Sequence, residues 1–459
     1  MDDYPALLGR LKKYELQEPV ARPRSDEKLR PVLRLMEALG SPERDYAIIH
    51  VAGTNGKGLS AAMTESLLSL SGCRTGLYCS PHVVDIRERI SLNGGLIEPA
   101  LFARAGHMTL DAAENLPETP RYSYFDLLTA MALKAFSLQG VDWAVLETGL
   151  GGRADATNVT GKKLALLTRI GMDHLHVLGR TLEEITWEKL GILRPGVSVV
   201  MAEQSPLVAG LIRQEARRLG CPLVEAGEAG LEPLPPDGPR APKAPRRIRV
   251  RWRGEPPLEL ELPEEAPPLT APRLACAANA LTAVREALGR PALDREQVAR
   301  WVRNALAVTL PGRLELRRNV AVRGRPGARL DWLVLDGGHN PEAVEALVAQ
   351  LALWGLGSPA ILLRLQSDKL VDELREPLSR LLAGAARLFT TEPSNPRSPP
   401  VEKLREYIRG LPGGDLLPPV EVAPDVGAVL AACLEHPARP LVAAGSFWML
   451  GELLPLLEP

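Results

Sequence analysis

The apolar run Tyr46-Ala-Ile-Ile-His-Val-Ala52 passes directly into Gly53-Thr54-Asn55-Gly56-Lys57-Gly58, and a helix-compatible stretch from Leu59 to Leu70 follows at once. Strand, glycine-rich turn and helix in that order are how a chain wraps its backbone around phosphate. Glycines let the main chain curl so that several N–H groups face one anion. The helix N-terminus adds positive potential, and Lys57 adds a mobile charge. The pattern departs from G-x-x-x-x-G-K-[ST] at two places: Val51 stands at its first glycine and Gly58 at its hydroxyl residue. A glycine turn beside a surface lysine is the plainer reading of these letters. The flanking strand and helix favour a bound nucleotide.

At 459 residues the chain is long enough for two or three domains. Apolar residues make up 45% and charged residues 24%, the balance of an ordinary globular protein, and a net charge of −1 offers no global attraction to nucleic acid or acidic membrane. The basic cluster Arg246-Arg247-Ile248-Arg249 has acidic segments close by and reads as a solvated face. Cys73, Cys79, Cys221, Cys276 and Cys433 form no CxxC and join no histidine cluster. Free thiols in a reducing compartment are therefore expected, and zinc is not. Met1-Asp2-Asp3-Tyr4 shows no basic n-region or apolar h-region, and no apolar run reaches the roughly 20 residues of a membrane span. The expected location is the cytoplasm.

The first two thirds of the chain alternate strand-like segments (Ile48–Ala52, Arg74–Cys79, Trp143–Glu147, Leu164–Ile170, Val197–Met201) with helical patterns such as Asp126–Leu138 and Leu182–Leu193. Such alternation predicts an α/β fold with a mostly parallel sheet covered on both faces, whose ligands collect at the carboxyl ends of the strands. Residues 225–272 are rich in Pro and Gly and carry two short strand-like pieces, Ile248–Trp252 and Leu258–Leu262, read as a β excursion. A helix, Leu274–Leu288, follows. The break at Leu310-Pro311-Gly312-Arg313 marks a linker, 309–313, between a domain of residues 1–308 and a smaller α/β domain of residues 314–459. In the latter, strands Trp332–Asp336, Ala360–Leu365 and Leu441–Ala444 and a helix Pro341–Leu353 are expected.

Polar motifs fall at the expected strand ends. Glu147 closes an apolar run and opens into Thr148-Gly-Leu-Gly-Gly-Arg-Ala154-Asp155-Ala156-Thr-Asn158. A glycine cluster beside Glu, Arg and Asp lets backbone and charge converge on one ligand, and Glu147 would hold Mg²⁺ near the phosphates; a polar loop is the alternative. Met172-Asp173-His174 and Ser80-Pro81-His82 also follow strands. The first could complete a metal site or orient a phosphate, and the second could cover a substrate with Ser80 as a further metal ligand. Asp336-Gly-Gly-His339-Asn340-Pro341 repeats the theme; helix capping accounts for Asn340 and Pro341 but not for Asp336 with His339.

With these motifs the chain resembles the folylpolyglutamate synthase/dihydrofolate synthase family of the Mur ligase superfamily. The resemblance rests on His50-Val-Ala-Gly-Thr-Asn-Gly-Lys-Gly58, Ser80-Pro-His82, Glu147 to Asn158, Met172-Asp-His174, Glu188-Lys-Leu-Gly-Ile192, Leu310-Pro-Gly-Arg313 and Asp336 to Pro341, in the family's order. It implies a P-loop-containing, mostly parallel sheet domain joined to a smaller Rossmann-like C-terminal glutamate-ligase domain. The implied activity is ATP-dependent amide formation: a carboxylate is phosphorylated, and the amino group of L-glutamate displaces phosphate from the acyl phosphate. Such a transfer needs in-line placement of carboxylate and γ-phosphate and cations to spread the charge.

Carried over by position, Gly53, Thr54, Asn55, Gly56, Lys57 and Gly58 should cradle ATP, with Asn279, Arg313, Asp336 and His339 as further nucleotide contacts between the domains. Ser80 and Glu147 should bind one Mg²⁺, and Glu147, His174 and Lys189 a second. Lys189 matches a lysine that the family carries as a carbamate, although on residues alone it reads as a surface lysine. Lys57, Glu147, His174 and Lys189 are the implied catalytic residues. The pterin end of a reduced folate or dihydropteroate is expected near Ser123, Tyr124, Phe125 and Asp126 and near Ala154, Asp155 and Ala156.

The chain departs from the family at Leu59, where a Ser or Thr is usual, at Ala275-Cys276 in place of His-Gln, at Asp126 in place of Glu, and at Asp368-Lys369-Leu370 in place of Asp-Lys-Asp. The stretch from Gln17 to Lys28 lacks the Gly-Leu-x-Arg pattern, which bears on dihydropteroate. Ser60, one place past Leu59, points about 100° away on a helix. A monomer acting on a folate, L-glutamate and ATP is expected, with no nucleic acid or membrane partner. Another amide ligase acting on a cell-wall precursor, and a non-catalytic nucleotide-binding homologue, are the alternatives.

Overall fold

The computed structural model describes residues 3–15, 29–116, 122–159, 161–234, 247–252, 256–263, 266–289, 293–392, 397–436 and 438–458. The stretch Gln17 to Lys28 lies outside them.

Eight strands form the large sheet: β1 Ala47–Ala52, β2 Thr75–Tyr78, β3 Ile90–Leu92, β4 Gly95–Leu96, β5 Trp143–Glu147, β6 Leu164–Leu167, β7 Ser198–Met201 and β8 Leu223–Glu225, in the order β4-β3-β2-β5-β1-β6-β7-β8. All pairs are parallel except β2–β3 and β3–β4. The central strand β1 is buried on both faces. Ile49 and Val51 pack under the helices Lys57–Leu70, Ala271–Ala287 and Arg295–Ala307, while Ile48 packs with Leu7, Phe102 and Phe136 on the other side. That two-sided burial is what a parallel sheet requires. The register Val51↔Glu147 and Ala52↔Leu167 brings the ends of β5, β1 and β6 level, so the loops that follow them meet.

The expected strand Leu164–Ile170 stops at Leu167 because the next residues leave the sheet for the glycine loop, where the Arg169 carbonyl accepts the N–H groups of Thr54 and Asn55 at 2.8 and 3.2 Å. The expected helix Leu182–Leu193 stops at Leu190. Gly191 then packs so tightly on Arg153 that a side chain there would strike its backbone.

Strands β9 Ala229–Pro233, β10 Arg247–Trp252 and β11 Leu258–Glu261 form a separate antiparallel sheet. Ile248, Val250 and Trp252 face the core, and Arg247 and Arg249 pair outward with Glu259, as a solvated basic face expects; Arg246 lies outside the described residues. The third sheet comprises β12 Glu315–Ala321, β13 Arg329–Asp336, β14 Ala360–Leu363, β15 Arg387–Thr391, β16 Val420–Ala423 and β17 Leu441–Ala444, ordered β12-β13-β17-β14-β15-β16 and antiparallel only at β12–β13. The edge strand β12 was not expected, because Arg317, Arg318 and Asn319 break its apolar alternation. The five cysteines are unpaired. Among the described residues no helix is long and apolar enough to cross a membrane.

Candidate active site

Gly56 caps the helix Lys57–Leu70 in the left-handed region (φ 80°), and a side chain at Gly53 would collide with Thr168. Both glycines are therefore demanded by the turn. Two lysines converge on the loop. Lys57 Nζ donates to the Thr54 carbonyl at 3.0 Å and Lys189 Nζ to the Gly53 carbonyl at 2.6 Å. Lys189 is buried and is no surface lysine. Burial, reinforced by the neighbouring Lys57 charge, pushes its amine down to about 7. Burial also lowers Lys57, against the pull of Glu147 and Asp173.

Glu147 ends β5 with 3% exposure. Its Oε2 accepts the Ser80 N–H at 2.9 Å and lies 3.3 Å from the position a Cβ would take on Gly58; Arg313 Nη2 lies 3.4 Å from that same position. The Arg313 guanidinium stacks over Phe447 at 4.9 Å and reaches the Ser80 carbonyl at 3.4 Å. Ser80, Glu147, Lys57 and Arg313 thus share one corner at the start of the phosphate-loop helix. Ser60 turns the other way. It is fully buried, with its Oγ 3.4 Å from Asn279 Nδ2, and does not replace the hydroxyl missing at Leu59. Cys276 fills the space beneath Gly56.

His174 belongs to a neighbouring cluster. Its ring, Asp173 and His339 have ligand atoms within 4.8 Å of one another, and Glu147 joins no such group among the described residues. The pairing of Glu147 with His174 expected from the sequence is therefore not drawn tight by a third acid or histidine. Residues not assigned to the site beforehand complete this cluster across the cleft. Lys369 Nζ donates to Asp173 Oδ1 at 2.7 Å, Asn340 Nδ2 donates to Asn55 Oδ1 at 2.9 Å, and Asn55 Nδ2 donates to Glu342 Oε2 at 2.7 Å. Burial opposes the Asp173 charge, but His174 and Lys369 overcome it and hold the carboxyl well below its usual range. Burial lowers the His174 ring to about 4.

Breaking this pair should be costly. Lys369→Met leaves a buried carboxylate unpaired, at about 3–5 kcal/mol. The double variant with Asp173→Asn is expected to recover most of that loss in a cycle of melting midpoints. A double variant that simply sums the single losses would show that the pair carries no coupling.

Asp336 and His339 are turned toward the backbone. Asp336 Oδ2 accepts the Leu314 N–H at 2.7 Å and Oδ1 the Gly338 N–H at 2.8 Å, tying the residue just before β12 to the end of β13, and burial raises the carboxyl to about 6. His339 Nδ1 donates to the Gly337 carbonyl at 2.9 Å.

Ser123 and Asp126 satisfy each other as a capping box at the start of the helix Tyr124–Gln139. Phe125 packs on Gly149 and on the Tyr78 ring, 5.8 Å away, and burial raises the Tyr124 hydroxyl to about 12. Between Ala154 and Ala156, buried Asp155 accepts the Leu150 N–H at 2.8 Å and the Thr157 hydroxyl at 2.5 Å, which holds the glycine loop in shape. A cavity of about 490 Å³ opens beside this loop, lined by Leu29, Leu33, Arg153, Asn158 and Arg194 among others.

Fold and site together define a two-domain α/β phosphate-loop protein of the Mur ligase superfamily. No family model matches the chain. A Mycobacterium tuberculosis dihydrofolate synthase/folylpolyglutamate synthase is 33% identical over 352 residues, covering 72% of this chain and 67% of that protein. The Bacillus subtilis dihydrofolate synthase/folylpolyglutamate synthase is 39% identical over 199 residues, covering 43% of this chain; the chain spans less than half of that relative's length, 46%. Among solved structures, Mycobacterium tuberculosis folylpolyglutamate synthase complexed with ADP is 29% identical and superimposes with a TM-score of 0.80 over 99% of both chains. The chain belongs to the folylpolyglutamate synthase/dihydrofolate synthase family.

Proposed function

We propose that the chain is an ATP-dependent ligase that adds L-glutamate to a folate through an acyl phosphate, with dihydropteroate as a second possible acceptor. One juxtaposition supports this above all: Lys57, Glu147, Ser80 and Arg313 meet at a helix start facing the cleft between two α/β lobes. The 29% identical Mycobacterium tuberculosis folylpolyglutamate synthase was solved with ADP, which agrees with a nucleotide-binding protein.

The residues present suit Mg²⁺, which takes oxygen ligands and keeps waters. Glu147 is a buried carboxylate, and the Thr148 hydroxyl beside it is buried without a hydrogen-bond partner among the described residues. Ser80 and Glu147 would hold one ion, and Glu147, His174 and Lys189 (as its carbamate) a second. Bound Mg²⁺ supplies charge neutralisation during phosphoryl transfer.

The chain's own groups account for the rest. The N–H groups at the start of the Lys57–Leu70 helix and the Lys57 ammonium face the phosphates, and Arg313 brings a further cation from the linker. Asn279 frames the nucleotide from the adjoining helix and His339 from the second lobe, with Asp336 fixing the turn that carries His339 through the Gly338 N–H. Phe125 and the loop around Ala154 to Ala156, with its adjacent cavity, offer the folate an aromatic face and a polar edge. A buried amine pushed down to about 7, as at Lys189, is substantially neutral at pH 7, the form that takes up CO₂.

Incubation with MgATP, L-glutamate and either acceptor tests the proposal. Phosphate release that requires both glutamate and a reduced folate is expected. Release with dihydropteroate as well would add the dihydrofolate synthase step. Nucleotide binding without turnover would favour a non-catalytic homologue, and turnover only with a cell-wall precursor another ligase of the superfamily.

A further inference from the structure

We infer that Lys162 and His50 are positioning residues for the folate end of the reaction, anchoring the glycine loop to the phosphate-loop strand through a buried one-directional hydrogen-bond chain. The inference rests on the ligase reading above, in which that loop carries the folate.

Lys162 is 6% exposed, and its Nζ lies 2.9 Å from His50 Nδ1 and 2.8 Å from Asn158 Oδ1. With the Lys162 amine donating to both partners, His50 Nδ1 accepts and the ring proton sits on Nε2. His50 Nε2 then donates to Thr157 Oγ1 at 2.8 Å, and the Thr157 hydroxyl passes its own proton on to Asp155 Oδ1 at 2.5 Å. Every link points the same way, and all four side chains are buried.

The anchored elements are those the reaction uses. His50 lies on β1, three residues before Gly53. Asp155 holds the Leu150 N–H at the front of the glycine loop. Asn158, the other partner of Lys162, donates to the carbonyls of Arg153 and Gly191, the latter just past the helix that carries Lys189. Among the described residues neither Lys162 hydrogen bond goes to a carboxylate, so its contribution there is directional donation and not ion pairing. Neither residue touches the corner formed by Lys57 and Glu147, so their effect should fall on the acceptor and spare the nucleotide.

Lys162→Met keeps the length and removes the donor, and Thr157→Val cuts the chain at its middle with little change of shape. Both variants should raise the KM for the folate by about tenfold or more. The KM for MgATP should stay within roughly twofold. Histidine-selective ¹⁵N spectra should show one ring, identified by its loss in His50→Gln, fixed as the Nε2–H tautomer across about pH 6–8 and released from it in Lys162→Met.

If Lys162→Met does not fold, Thr157→Val carries the kinetic test. An active wild-type chain whose two variants keep the folate KM within twofold, or a His50 ring protonated at Nδ1, overturns the inference. A wild-type chain with no glutamate-dependent phosphate release sinks the ligase reading instead.

Discussion

Glu147→Ala is expected to lower glutamate-dependent phosphate release by roughly a thousandfold, since charge stabilisation at a phosphoryl transfer is worth several kcal/mol and about 4 kcal/mol corresponds to about 10³ in rate. Glu147 is a buried carboxylate at the corner where the phosphate-loop helix begins, and it also fixes Ser80 through its N–H. Glu147→Gln separates the two roles. The amide oxygen can still accept from Ser80, so this variant should melt like the wild type, yet it lacks the charge and should be nearly as inactive as the alanine variant. A rate within tenfold of wild type for either variant would remove Glu147 from the chemistry.

Lys189→Ala should cost on the order of 10²–10³ in kcat, the size of loss seen when one preorganised charge-stabilising group is removed. Two accounts of this lysine differ in sign. As an amine it ties the Gly53 carbonyl and steadies the loop. As a carbamate it would present anionic oxygen beside the phosphate loop and the Lys57 charge. Lys189→Arg preserves the cation and a donor, whereas Lys189→Glu preserves an anionic oxygen. The proposed function expects the glutamate variant to exceed the arginine variant, with wild-type activity falling when CO₂ and bicarbonate are stripped from the buffer. The reverse order, with no bicarbonate effect, would make Lys189 a loop anchor only.

Much of this site is local chain grammar and could be read in advance. The phosphate loop follows an apolar strand, Glu147 closes another, and the turn of a helix is enough to say that Ser60 faces away from the loop. What could not be read depends on packing between distant segments. Lys189 sits in Leu182-Glu-Glu-Ile-Thr-Trp-Glu-Lys-Leu190, where its charge suggests the surface, yet it shares the buried face of the helix with Ile185, four residues before it. Lys369 and Asp173 meet across 196 residues, a contact that exists only because the lobes close on one another. The carboxylate of Asp336 suggests a ligand contact, yet both of its oxygens are engaged by backbone N–H groups, those of Leu314 and of the turn after β13. Local pattern identifies which groups carry charge; long-range packing decides where that charge points.

The central claim is that a carboxylate of the acceptor is activated as an acyl phosphate. Folate labelled with ¹⁸O in its terminal carboxylate tests it directly, because the oxygen that attacks phosphorus leaves with the phosphate when the glutamate nitrogen forms the amide. Mass spectrometry of the released phosphate should find one ¹⁸O for each amide made. Amide formation accompanied by unlabelled phosphate would contradict the account.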